Sequence, residues 1–129
     1  MRTFVYGLDE ENTRPIILLG NNDALFDTGA SFPICRSEQL AKELGGAEDE
    51  KLNGLTNGIF GVAAGKPISG IYYRIPSFTL KDIIYPQLPM FIPNKPNMST
   101  SYIISASMLY GMLCEFNFVD HQVKISIPD

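Results

Sequence analysis

The stretch Ala24-Leu25-Phe26-Asp27-Thr28-Gly29-Ala30-Ser31 decides how this chain is read. Its apolar lead-in, Ala24 to Phe26, has strand character and delivers one carboxylate, Asp27, onto a turn that Gly29 makes tight and Ala30 leaves uncrowded. An Asp in a turn often does no more than bond nearby backbone amides. Asp23 and Asp82 read that way, because neither has the glycine-bounded setting of Asp27.

Upstream of this loop, Phe4 to Tyr6 and Pro15 to Leu19 read as short β segments separated by the polar stretch Gly7 to Arg14, with a turn at Gly20 to Asp23. The expected unit is a hairpin feeding Asp27. Downstream, Phe32 to Cys35 reads as a strand, and Ser37 caps a short amphipathic helix that runs to Leu44 and stops at Gly45-Gly46. The acidic stretch Glu43 to Glu50 reads as a solvated loop. Gly54, Gly58, Gly61, Gly65 and Gly70 then punctuate a segment containing Ile59, Phe60 and Val62, as expected of a mobile hairpin that lets another backbone approach closely.

Strand composition resumes at Ile71 to Ile75, Ser77 to Leu80, Ile83 to Tyr85 and Leu88 to Ile92, with Pro76, Pro86 and Pro89 marking edges, bulges or strand ends. Pro93 to Ser101 is a connecting loop. Tyr102 to Ile104 forms a compact apolar strand, followed by the small residues Ser105 to Ser107 and a short helix at Met108 to Tyr110 ended by Gly111. Leu113 to Phe118 and Val123 to Ile127 close the chain as a hairpin. His121, in the turn beside Asp120, is a solvated turn residue and makes no serine triad with Ser105 or Ser107.

The 129 residues suit one domain, 1–129, mostly β with one or two short helices. With 45% hydrophobic residues, 19% charged residues, 8 Phe and 6 Tyr, the chain can build a packed core. A net charge of −4 gives no basic footprint for nucleic acid or an anionic membrane. No apolar run approaches the roughly 18 to 20 residues that span a bilayer. Cys35 and Cys114, without metal or redox spacing, read as buried free thiols in a reducing compartment, so the expected location is cytoplasmic.

The order of these features resembles the single-domain retropepsins, the aspartic proteases of retroviruses and their cellular and bacterial relatives. The resemblance covers nearly the whole chain. It rests on the N-terminal hairpin, the Asp27-Thr28-Gly29-Ala30 loop, the flap-like Gly58-Ile59-Phe60-Gly61, and Ile103-Ile104 before small residues. The helix beginning near Ser37 is closer to the non-viral members. One position departs from the family: Ser105 follows Ile103-Ile104 where Gly is usual, and its side chain must fit where backbone packs closely behind the catalytic loop.

The resemblance implies a closed β-barrel and an aspartic endopeptidase. Peptide hydrolysis of this kind needs two carboxylates sharing a water and one proton, and the chain offers one, so a homodimer is implied, with Asp27 of each copy meeting at a two-fold axis. Activity is then expected from acidic to neutral pH. Thr28 would hold the paired loops in register, Gly29 would offer a backbone N–H to the carboxylate, and Ala30 would leave room for substrate. The flap would cover an extended peptide and exclude water, with Ile59 or Phe60 lining a pocket. No metal or organic cofactor is required. The competing expectation is a catalytically inactive dimer of the same fold that binds peptides or proteins.

Overall fold

Alternating apolar residues commit the chain to strands. In the computed structural model, which describes residues 1–63 and 65–129, 51% of the chain is strand, with two helices. Strands β1 (Arg2–Gly7), β2 (Ile16–Leu19), β3 (Asn22–Asp27) and β4 (Ile34–Cys35) precede helix α1 (Glu38–Glu43). The short strand β5 (Ala47–Glu48) leads into helix α2 (Glu50–Thr56), then β6 (Ile59–Ala63), β7 (Lys66–Leu80) and β8 (Ile83–Pro93). Next come β9 (Tyr102–Ser105), a 3₁₀ turn at Ala106–Leu109, β10 (Leu113–Asn117) and β11 (Gln122–Ile127).

These strands form two sheets. The smaller runs β1-β11-β10, and the larger runs β2-β3-β9-β4-β8-β7-β5 with β6 paired to β7. The expected closed barrel is not found among the described residues: the larger sheet ends on β2 at one side and on β5 at the other. Phe26 of β3 meets Phe116 of β10 edge-on at 5.3 Å, and this contact lies where the two sheets pack. Around it Ile17, Ile75, Met90, Ile104, Val123 and Ile125 are fully buried. Each such side chain contributes about 1.5–3 kcal/mol relative to exposure.

Several expectations change at the level of pairing. The upstream hairpin is β2–β3 alone, its two-residue loop using Gly20 at φ 65°, while Phe4 and Tyr6 belong to β1, which pairs with β11 from the far end of the chain. The stretch expected as a solvated loop, Glu43 to Glu50, contains β5, which pairs with β7, and a buried Asp49 that caps α2. Gly54 lies inside α2, so the glycine-rich hairpin begins at Ile59. Pro76 does not divide its strand: β7 continues through it, and the ladder skips from Ile75↔Leu88 to Ser77↔Pro86 while Gln87 takes a positive φ of 51°. That irregularity relieves the ladder of the N–H that proline lacks. The expected helix at Met108 to Tyr110 is the 3₁₀ turn, which starts two residues earlier. Cys35 is buried, but Cys114 is only half-buried, and both are free. No helix among the described residues is long and apolar enough to cross a membrane.

Candidate active site

Asp27 is the last residue of β3, and its surroundings follow from the order of three strands. β9 lies between β3 and β4, parallel to the first and antiparallel to the second. The loop from Thr28 to Pro33 therefore joins two strands that are not neighbours and passes the end of β9 between them. Leu25, Phe26 and Asp27 pair in register with Ile103, Ile104 and Ser105. Backbone bonds then fix the loop: Ala30 N–H donates to the Asp27 carbonyl at 3.1 Å, and Ala106 N–H donates to the Ala30 carbonyl at 2.9 Å.

The carboxylate is held as well. Gly29 N–H donates to Asp27 Oδ1 at 3.0 Å, and a Cβ added at Gly29 would sit 3.1 Å from that oxygen, so glycine is what lets amide and carboxylate approach. Asp27 and Ala30 are half-buried, whereas Thr28 and Gly29 are exposed. An exposed Thr28 beside a half-buried carboxylate forms a polar tip to the loop.

Ser105, the position where the family usually has glycine, is fully buried yet fits. Its backbone is extended, φ −87° and ψ 166°, a conformation open to any residue, and its Oγ lies 2.7 Å from Ser107 Oγ. The extra side chain is thus absorbed by a hydroxyl pair behind the loop. Tyr85 supports the same turn from β8, donating its hydroxyl to the Met108 carbonyl at 2.6 Å, and burial pushes its pKa up to about 12.

Asp27 opens onto a cavity of about 530 Å³ that Arg14, Leu25, Met98 and Ile103 also line. A second, more apolar cavity of about 260 Å³ adjoins it, floored by Phe60, Phe91, Ile34 and Ile68. Asn97, Met98 and Ile103 line both, so the two cavities adjoin along these residues, and together they make up the groove between the carboxylate and the β6–β7 hairpin. The paired expectations at Ile103-Ile104 separate here: Ile103 faces the groove, and Ile104 is fully buried in the core.

The flap-like residues separate too. Ile59 is 42% exposed, while Phe60 sits at a shift in the β6–β7 register and stacks on Phe91 with centroids 4.8 Å apart. Phe32, from the Asp27 loop, meets Phe60 at 6.2 Å and Tyr72 at 5.4 Å, both edge-on, and so joins loop to hairpin. Gly58 takes a positive φ of 69°, and its carbonyl accepts from Gly70 N–H at 2.8 Å. A Cβ at Gly58 would lie 2.6 Å from the Gly70 carbonyl oxygen, and one at Gly70 would lie 2.1 Å from that of Ile92. Gly61 is under no such pressure, with nothing within 4 Å.

Helix α2 braces the hairpin stem. Asn53 bonds the Tyr72 backbone through both ends of its amide, accepting from Tyr72 N–H at 2.7 Å and donating to its carbonyl at 3.1 Å, and Tyr72 Oη donates to the Ile59 carbonyl at 3.1 Å. Asp49 caps α2 by accepting from Leu52 N–H at 3.1 Å and also accepts from Arg74 Nε at 2.9 Å on β7. The Leu52 amide, opposed by desolvation and reinforced by Arg74, holds the Asp49 carboxyl below the usual aspartate range.

Sequence reading did not assign Arg14, Asn97, Met98 or Phe91 to the site. Arg14 and the 97–98 pair come from loops without a motif, and only the fold brings them beside Asp27. Met98 gave one available signal, an apolar residue inside an otherwise polar loop. No protein-family model matches this chain, and no curated protein or solved structure matches it.

Proposed function

We propose that the chain is a retropepsin-like aspartic endopeptidase that acts as a homodimer. The observation that carries this reading is the position of Asp27: a half-buried carboxylate, oriented by a backbone amide, at one end of a groove whose other end is an aromatic-lined hairpin. A groove of this shape suits an extended peptide. Its apolar end takes a large side chain, and the hairpin offers main-chain groups along one flank.

One carboxylate cannot both accept and donate a proton in the same step. With Asp27 of a second copy across a two-fold axis, the ionised carboxylate takes a proton from water as the water oxygen bonds to the peptide carbonyl carbon. The protonated carboxyl gives its proton to the carbonyl oxygen. In breakdown the first carboxyl passes its proton to the nitrogen, the second takes one from a hydroxyl of the tetrahedral species, and the C–N bond breaks to release acid and amine. The exposed tip at Thr28 and Gly29 suits contact between two such loops.

Cleavage of a diverse peptide library from acidic to neutral pH, with Asp27→Asn in parallel and sedimentation of both proteins, tests the reading. Cleavage by the wild-type dimer, reduced at least about a thousandfold by Asp27→Asn, is expected, since removing a member of a catalytic unit forfeits most of the rate. A monomer at all concentrations, or equal cleavage by both proteins, overturns it. A dimer that binds peptides and never cleaves them leaves the binding module in its place.

A further inference from the structure

We infer that Lys95 makes the groove selective for substrates carrying an acidic side chain beside a large apolar one. The charge pattern of the groove is opposite to that of the chain as a whole. The protein carries a net charge of −4, yet Lys95 lines the apolar cavity over Phe60 and Phe91, and also a neighbouring cavity of about 370 Å³ beside Pro67 and Ile68. Lys95 is exposed and lines both cavities, so its side chain is placed where they meet.

Among the described residues Lys95 has no acidic partner within ion-pair distance. The ion pairs found among them join Met1 to Asp129, Arg74 to Asp49 and Lys124 to Glu115. The backbone around it is held: Pro96 follows it, and Asn94 N–H donates to the Ser69 carbonyl on β7 at 2.9 Å, tying this loop to the hairpin. The other groove cation, Arg14, is engaged with Ser99 Oγ at 2.8 Å and shares its cavity with Asp27, which would repel an incoming carboxylate. Lys95 is thus the cation left to meet a substrate's charge. An exposed cation beside an apolar cavity attracts a carboxylate whose apolar neighbour is seated in that cavity.

The inference rests on the peptidase reading for its cleavage arm only. Two pooled peptide libraries serve as probes, each with Phe fixed at the centre, one with Glu and the other with Gln fixed on both sides of it. Cleavage is measured with wild type and Lys95→Glu, and binding of the labelled pools is measured by fluorescence anisotropy with Asp27→Asn, alone and combined with Lys95→Glu. Wild type should favour the Glu pool about fivefold at low salt, the preference should shrink as salt screens it, and Lys95→Glu should reverse it. Lys95→Met, which keeps the apolar stem, should favour neither pool. The same Glu-to-Gln ratio in wild type and Lys95→Glu overturns the inference even if both pools are cleaved. Glu-selective binding without cleavage sustains the inference and removes the peptidase reading. Failure to bind or cleave either pool overturns the inference and leaves the peptidase reading to the diverse library.

Discussion

The Asp27 loop and the β6–β7 hairpin face the same groove but are fixed by different means. The loop is held by backbone: a parallel ladder to β9, Ala106 N–H on the Ala30 carbonyl, and Gly29 N–H on the carboxylate. The hairpin is held over the groove by side chains: Phe60 on Phe91, Asn53 around Tyr72, and Asp49 on Arg74. A backbone-fixed element can tolerate side-chain change and fails when its glycines are filled. A side-chain-fixed element can be loosened by single truncations. The carboxylate is thus positioned rigidly, and adjustment to a ligand is left to the hairpin.

Four substitutions can break or sharpen this contrast. The largest effect is expected from Gly70→Ala, whose Cβ would lie 2.1 Å from the Ile92 carbonyl oxygen and 2.7 Å from Phe91 Cζ, so that the β8 backbone must shift. It should cost about 3 kcal/mol in urea unfolding, the upper range for overpacking. A large loss shows that close backbone packing at β7–β8 also supports the hairpin's stem, whereas a loss of under about 1 kcal/mol would mean that β7 and β8 can separate and that side chains alone hold the hairpin.

Asp49→Asn comes next, at about 2 kcal/mol near neutral pH, because asparagine still caps a helix but cannot pair with Arg74. Since the native carboxyl titrates below its unfolded value, the wild-type advantage is complete above the usual aspartate range and disappears as pH falls through the lowered native pKa. Thermal melts of both proteins from pH 7 down to strongly acidic pH would reveal it. An advantage that is independent of pH would remove the ion pair from the account.

Phe60→Ala should cost less in global stability, about 1 kcal/mol, because the ring is only half-buried, while weakening peptide binding about tenfold through loss of the groove floor. Equal effects on both would mean that Phe60 is core and not site. The smallest change is Ser105→Gly, which removes one hydroxyl pair and adds chain freedom behind a loop fixed by backbone, for about 1 kcal/mol or less. A loss above about 2 kcal/mol in the same denaturation assay would show that the loop depends on side chains after all.

The same contrast explains what could be read from the chain. The Asp27 loop is local: its strand, carboxylate and glycine occupy adjacent positions, and the turn chemistry is visible in them. Helix α1 was equally legible, because Ser37 accepts from Leu40 N–H at 3.2 Å and Gly45-Gly46 follow its end. The hairpin's supports were not. Helix α2 was hidden by Gly54, a helix-weakening residue at an exposed position, and Asp49 looked like one more surface acid until β7 placed Arg74 against it. Closure of the sheet into a barrel depended on which distant edges meet, and no local pattern records that.

The pairing of β1 with β11 sets the order in which the molecule can be completed. Arg2 to Gly7 find their partners at Gln122 to Ile127, so β1 has no ladder partner until β11, far along the chain, has been made. Until then Phe4 and Tyr6 are carried on an unpaired strand, and the smaller sheet stays incomplete. Such long-range closure is slow, and it favours a partner that shields nascent β1.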